Sequence, residues 1–143
     1  MDLRKLLLFT GVAILLILVG QSSLLSSGGK FIVKSGDNIC GLRDARQLSN
    51  PAKVDYPLLI DSTREGKRIR DEKIDPKSAL GNILMSQAKR RVVDASETVR
   101  RRRGYCSIWK AIERRDGKAI PDVTKHVLVV LRAGADEEIK SES

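Results

Sequence analysis

The first apolar segment of the chain runs without a charged residue from Leu6 to Val19. Arg4 and Lys5 precede it, and mostly small and polar residues follow it at positions 20–29. A basic start, an apolar centre and a small-residue exit are typical of a secretory signal. The apolar centre is shorter than the ~20 residues of a membrane-spanning helix, although residues 6–25 reach that length if polar positions are included. We therefore predict that residues 1–28 are either a cleaved signal peptide or a signal anchor.

The positive charges around this segment predict where the rest of the chain resides. Lys30 is the first basic residue after it, and the stretch from Leu6 to Gly29 carries no charge. Positive charges close to the segment favour the cytoplasmic side, and their absence on its C-terminal side favours export of the remaining chain. We expect a periplasmic or secreted protein, or one anchored in the membrane through residues 6–25 with its C-terminal domain outside the cytosol.

The clearest helical pattern lies in the middle of the chain. Its apolar positions recur at intervals of three or four, which places them on one face of a helix. Asp75 and Pro76 form a start signal, because Asp accepts free amide hydrogens and Pro loses no hydrogen bond at the first helical position. Gly104 is a stop signal. The sequence predicts one long helix over residues 76–103, with this stripe: Leu80, Leu84, Ala88, Val92, Ala95, Val99, widened by Ile83.

Weaker patterns precede the long helix. Residues 30–34 indicate a short strand or an extended arm, and residues 42–48 two helical turns. Residues 58–60 are apolar, and we expect them to be buried. Thr63 is expected to cap a short charged helix over residues 64–73.

Two further helices are predicted after the long one. Residues 107–115 carry Ile and Trp at helical spacing, and residues 122–132 follow a proline start signal. The β-branched run at 127–130 is also compatible with a strand, but the start signal and Gly134 favour a helix that stops at this glycine. We expect the acidic residues 135–143 to form a disordered tail.

These elements predict a mainly α fold, a small bundle of one long helix with two or more short helices. The chain then consists of a hydrophobic segment at 1–28, a small basic helical domain at 29–134 and the tail at 135–143. The length allows one domain. Aromatic residues make up only 3% of the chain, so the core is small and a cross-link would help to stabilise it.

The two cysteines, Cys40 and Cys106, supply a candidate cross-link. In an exported chain an even number of cysteines indicates a disulfide, whereas in a cytosolic chain they are more often buried thiols. Because we expect export, we predict a Cys40–Cys106 disulfide.

Basic residues are concentrated in one stretch of the chain. Its overall formal charge is +9, and residues 86–118 hold 11 Lys and Arg against 4 Asp and Glu. Cations near a helix C-terminus stabilise the helix, so these arginines can be explained as a solvent-exposed helix face with no ligand. Four consecutive arginines exceed what a cap needs, which favours an anion-binding surface. Its candidate residues are Arg90, Arg91, Arg100, Arg101, Arg102, Arg103, Arg114 and Arg115.

Little in the sequence indicates catalysis or a bound cofactor. His126 is the only histidine, which excludes His-pair chemistry and most metal sites. There is no glycine-rich phosphate loop and no isolated pair of carboxylates. Tyr105 and Trp109 flank the arginines, but Trp109 belongs to an apolar stripe and an exported domain rarely meets a genome, which argues against nucleic acid. We expect no enzyme activity, no metal and no cofactor.

The sequence therefore favours a non-catalytic domain that binds either a protein partner or an anionic envelope surface, such as acidic lipid or another polyanion. The alternative is an accessory or inhibitor protein that binds another protein through an apolar helical groove. In that case the arginines only keep the surface solvated. An enzyme is a distant third. Binding through charge weakens steeply with salt, whereas apolar binding does not.

Overall fold

The computed structural model describes residues 29–141, with the side chains of residues 29–135. The predicted signal or anchor segment lies outside these residues. The described part confirms a mainly helical fold with one long helix, and adds two small sheets that were not predicted. Its helices are α1 (Tyr56–Ser62), α2 (Arg64–Asp71), α3 (Ala79–Arg103) and α4 (Thr124–Ser141); its strands are β1 (Phe31–Ile32), β2 (Asn38–Gly41), β3 (Pro51–Lys53), β4 (Ser107–Trp109) and β5 (Glu113–Arg114).

The strands form two small sheets. Strand β4 is central in the larger one, antiparallel to β2 on one side and parallel to β3 on the other. Strands β1 and β5 form an antiparallel pair of their own. Pro51 is the first residue of β3, an edge strand, where its missing amide hydrogen is tolerated.

The predicted helix over residues 107–115 is wrong, because residues 107–109 form β4. The backbone is paired on both sides: the amide of Cys106 donates to Asn50 and the amide of Lys110 to Asp37. All three side chains of β4 are buried, and Trp109 Nε1 donates to Ser107 Oγ at 2.7 Å. Sheet pairing therefore satisfies the buried backbone on both sides of β4. The β-branched Ile108 and the aromatic Trp109 also favour a strand.

The long helix begins three residues later than predicted. Ser78, not Asp75, is the N-cap, and its Oγ accepts the amide hydrogen of Gly81 at 3.0 Å. Asp75 forms the preceding turn instead, accepting from the amide of Lys77. The predicted end is confirmed: Gly104 follows Arg103 with a φ of 72°, a left-handed conformation that glycine adopts without strain.

Most of the predicted stripe on α3 is buried. It packs against α1, β3, β4 and α4 in the main core cluster, while a second cluster surrounds Trp109. Leu80 and Ile83 are wrong as core positions, since 45% and 56% of their surfaces are exposed. On α3 the main cluster begins at Met85, so Leu80 and Ile83 lie outside it. The buried stripe residues are Leu84, Ala88, Val92, Ala95 and Val99.

The elements before α3 follow the sequence in part. Thr63 caps α2 as predicted, accepting the amide hydrogen of Gly66 at 2.9 Å. Of the apolar run 58–60, Leu59 and Ile60 are buried but Leu58 is 46% exposed. The two helical turns predicted at 42–48 are wrong; only a 3₁₀ turn, Ala45–Gln47, forms there.

The C-terminal helix confirms the helical interpretation of residues 127–130, but the predicted stop at Gly134 is wrong. Helix α4 continues through Gly134 to Ser141, so residues 135–141 of the predicted tail are helical. Gly134 does not adopt a positive φ, the conformation that ends α3 at Gly104. Glycine inside a helix costs only about 1 kcal/mol, and the packing of α4 against α3 outweighs this.

Candidate functional site

The eight arginines predicted as one surface separate into those with structural partners and those without. Arg100 belongs to the first group. Its Nε and Nη2 donate to the two carboxylate oxygens of Glu97, each at 2.7 Å, and its Nη1 donates to the Tyr105 carbonyl at 3.2 Å. Its side chain is only 24% exposed. Arg100 therefore joins the end of α3 to the chain that leaves it.

Glu97 also binds the next arginine. Arg101 Nε donates to Glu97 Oε1 at 2.7 Å, although the Arg101 side chain is 74% exposed. The hydrogen bond from Arg100 is the main reason that the pKa of Glu97 is lowered to about 2, and Arg101 contributes. Glu97 is thus a carboxylate held charged between two cations, which offsets part of the positive charge of this helix end.

Arg91 has a buried partner. Its Nε donates at 2.8 Å to Oε1 of Glu65, whose side chain is 5% exposed. This pair connects α2 with α3. The other carboxylate oxygen of Glu65 is buried with no hydrogen-bond partner among the described residues. Arg91 is therefore needed to compensate a buried negative charge.

Arg114 is the last residue of β5, and Arg115 is in the turn that follows it. Arg114 binds Asp116 at 2.6 and 2.9 Å, holds the pKa of that carboxyl well below its usual range and lies over the Phe31 ring. Arg115 Nε donates to the carbonyl of Gly29 at 3.0 Å. Both arginines hold β1 and the residue Gly29 before it close to β5.

Three of the eight arginines remain: Arg90, Arg102 and Arg103. All three are exposed, and none has an ion pair or hydrogen bond from its side chain within the described part of the chain. Arg90 lies beside Glu65 and Asp94 in a mixed-charge depression between α2 and α3. Only Arg102 and Arg103 combine free positive charge with neighbouring apolar surface.

Arg102 and Arg103 line a groove between α3 and α4. On α3 they follow Val99 at spacings of three and four; on α4 the same spacings place His126, Val129 and Val130 together. The two sets line an open depression of about 460 Å³. Val129 is 65% exposed, so the groove presents apolar surface to solvent beside two cations.

A second depression of about 200 Å³ continues this groove. The two depressions share Val130, and the second runs towards the middle of α3. It is lined by Arg91, Asp94, Ala95, Thr98, Val130, Leu131 and Gly134. We call the two together the α3–α4 groove.

The groove has a polar group with unused hydrogen-bonding capacity. Nδ1 of His126 is shielded from solvent and has no hydrogen-bond partner among the described residues. His126, Val99, Val129 and Val130 were not predicted as site residues. Their spacing along the two helices was a usable signal, but their convergence depends on the way α4 packs on α3.

Cys40 and Cys106 carry free thiols in the structure. Cys40 lies on β2, and Cys106 directly precedes β4, the strand that pairs with β2. Cys40 is paired with Ile108, and the Leu42 amide donates to the Cys106 carbonyl at 3.0 Å. Burial, with the nearby charge of Glu97, raises the pKa of the Cys40 thiol to about 12. Since the thiolate is the reactive form, Cys40 is a poor nucleophile at neutral pH.

Neither metal binding nor membrane crossing has a candidate in the described residues. Within residues 29–141 no three His, Cys, Asp or Glu side chains are arranged to hold a metal ion. In the same range, no helix is both long and apolar enough to cross a bilayer.

Comparison with known proteins gives no relative. The chain matches no family model, no curated protein and no solved structure.

Proposed function

We propose that this protein is a non-catalytic binding protein that contacts an anionic membrane surface through Arg102 and Arg103. The observation that carries the proposal is their position. Both are exposed cations without an ion pair among the described residues, and they border a groove that includes the exposed Val129. Cations beside apolar surface suit the boundary between lipid headgroups and acyl chains.

The hydrophobic N-terminal segment adds to this proposal. We propose that it either anchors the chain or directs its export, with the domain that begins at residue 29 outside the cytosol. An uncleaved anchor holds the domain beside a membrane, whereas a cleaved signal releases it on the far side of one. Arg115, which binds the carbonyl of Gly29, lies where the chain enters the domain and adds positive charge there.

A non-catalytic role is supported by the state of two groups, the Cys40 thiol and the Glu97 carboxylate. The pKa of Cys40 is raised to about 12, which keeps the thiol protonated at neutral pH. Glu97 is bound by two arginines and its pKa is lowered to about 2, so it is a poor proton acceptor. Neither group is suited to acid–base or nucleophilic chemistry near neutral pH.

The second candidate is an accessory or inhibitor protein that binds another protein in the α3–α4 groove. The apolar groove lining favours it, with Val129 and Val130 as contacts and Arg102 and Arg103 serving only solubility. The two candidates differ in the effect of salt. Attraction between arginines and acidic headgroups is screened over a Debye length of about 10 Å at 0.1 M salt, whereas apolar contacts are not weakened in this way.

The test is binding of the domain at residues 29–143 to vesicles. Both core clusters consist of residues between Phe31 and Leu131, so this fragment retains them completely. Co-sedimentation with acidic and neutral vesicles is compared at low and high salt. We expect binding to acidic vesicles that falls steeply with salt, and little binding to neutral ones. Equal binding to both, unaffected by salt, would contradict the proposal and favour the second candidate.

A further inference from the structure

The α3–α4 groove is chemically asymmetric along its length. At one end Arg102 and Arg103 contribute two positive charges, and no acidic residue lines that depression. At the other end Arg91 and Asp94 contribute charges of opposite sign. Between them the floor is mainly apolar, with Val130 common to both depressions.

This asymmetry defines the ligand by charge complementarity. The basic end attracts one anionic group, and the far end has no net charge to attract a second. The floor suits an apolar chain, and the larger depression, about 460 Å³, is within the usual range for a small-molecule site. A peptide with acidic residues along its whole length would place charge over the apolar floor, where no cation meets it.

We propose that the groove binds a single anionic lipid, with its phosphate at Arg102 and Arg103 and an acyl chain over Val129 and Val130 towards Leu131. This inference rests on the proposed function and deepens it. A lipid seated in the groove covers Val129, which is 65% exposed, and keeps the headgroup at the two free cations. Binding of one lipid molecule is then distinct from attraction to a charged surface.

The experiment is native mass spectrometry of the full chain purified in a mild non-ionic detergent. The probes are phosphatidylglycerol, phosphatidylcholine with the same acyl chains, and glycerol 3-phosphate, which has the phosphate without acyl chains. The variants are R102Q/R103Q and Val129→Asn. Leu58→Asn is the matched control, since Leu58 is an exposed apolar residue on α1 outside the groove.

We expect one bound phosphatidylglycerol, held about tenfold more tightly than phosphatidylcholine. R102Q/R103Q should remove this preference, Val129→Asn should weaken binding of both lipids, and Leu58→Asn should change neither. Glycerol 3-phosphate should bind far more weakly than the lipid. Because Val129 is exposed, its substitution is not expected to unfold the chain, and circular dichroism checks this.

Two results would overturn this inference and leave the proposed function standing. If Val129→Asn behaves like Leu58→Asn while R102Q/R103Q still reduces vesicle binding, lipid contacts the surface but does not enter the groove. If glycerol 3-phosphate binds as tightly as the lipid, the site takes free phosphate. If R102Q/R103Q changes neither vesicle binding nor lipid preference, both this inference and the proposed function fail.

Discussion

Arg100 and Glu97 form a bidentate ion pair at the end of the long helix, with both hydrogen bonds at 2.7 Å. One of four consecutive arginines is thereby fixed to its own helix and to the Tyr105 carbonyl. The run is therefore not a uniform basic surface: Arg100 supports the fold, whereas Arg102 and Arg103 face the groove.

This pair predicts a dependence of stability on pH. The pKa of Glu97 is lowered from 4.5 to about 2, and Arg100, Arg101 and the Cys40 thiol surround it. Because the folded-state pKa is the lower one, the contribution of the ionised Glu97 to the free energy of unfolding is fully present above pH 4.5. This contribution is lost as the pH falls to about 2. Glu97→Gln should remove about 1–2 kcal/mol at pH 7 and flatten the stability curve in that window, measured by urea unfolding. An unchanged slope between pH 4.5 and 2 would contradict the assignment.

The Arg91–Glu65 pair predicts a difference between neighbouring arginines. Arg91→Met removes the cation that compensates a carboxylate of 5% exposure, and should destabilise the protein by about 2 kcal/mol. Arg90→Met is the matched control, since Arg90 is exposed and its side chain has no ion pair within the described residues; its effect should stay within about 0.5 kcal/mol. Equal losses from the two variants in thermal unfolding would show that Glu65 does not depend on Arg91.

The Cys40–Cys106 disulfide stays a prediction for protein from an oxidising compartment. The bond would join β2 to the residue that directly precedes β4. It would close a loop of about 67 residues and contribute roughly 4 kcal/mol in the chain-entropy model, less any strain. Reductant should then lower the melting temperature markedly, and the intact mass should rise by two hydrogens. Two free thiols in exported protein, denatured without reductant, would contradict the bond.

Export can be tested with a reporter that is active only outside the cytosol, fused after Ser143. The uncharged stretch from Leu6 to Gly29 predicts an active reporter. The mass of the mature N-terminus then distinguishes a cleaved signal from an anchor. A silent reporter in a well-expressed fusion would contradict the predicted localisation.

How much the sequence predicts depends on how local the determining interactions are. The buried part of the α3 stripe, from Leu84 to Val99, and the Gly104 stop follow from spacing and backbone conformation within one segment, and both were predictable. The segment 107–109 was not, because its spacing fits a helix while its backbone is satisfied by β2 and β3, which are distant in sequence. Local apolar spacing cannot reveal such partners.

The candidate site was likewise predictable only where its interactions are local in sequence. The sequence indicates which residues are cationic, but the partners of Arg91 and Arg115 are Glu65 and Gly29, 26 and 86 positions away. The groove likewise depends on the packing of α4 on α3. The sequence therefore predicted the basic stretch as a whole, and the structure separates Arg102 and Arg103 from it.

The most direct measurement of the central claim is the affinity of residues 29–143 for acidic vesicles in two double variants of equal charge. R102Q/R103Q removes the two groove cations, and R68Q/R70Q removes two exposed arginines on α2. At about 1 kcal/mol for each arginine near an anionic membrane, the first variant should bind about 30-fold more weakly at low salt, with an unchanged melting temperature. The second should bind nearly as well as the parent domain. Equal losses in the two variants would mean that only net charge matters, and would contradict a binding site at Arg102 and Arg103.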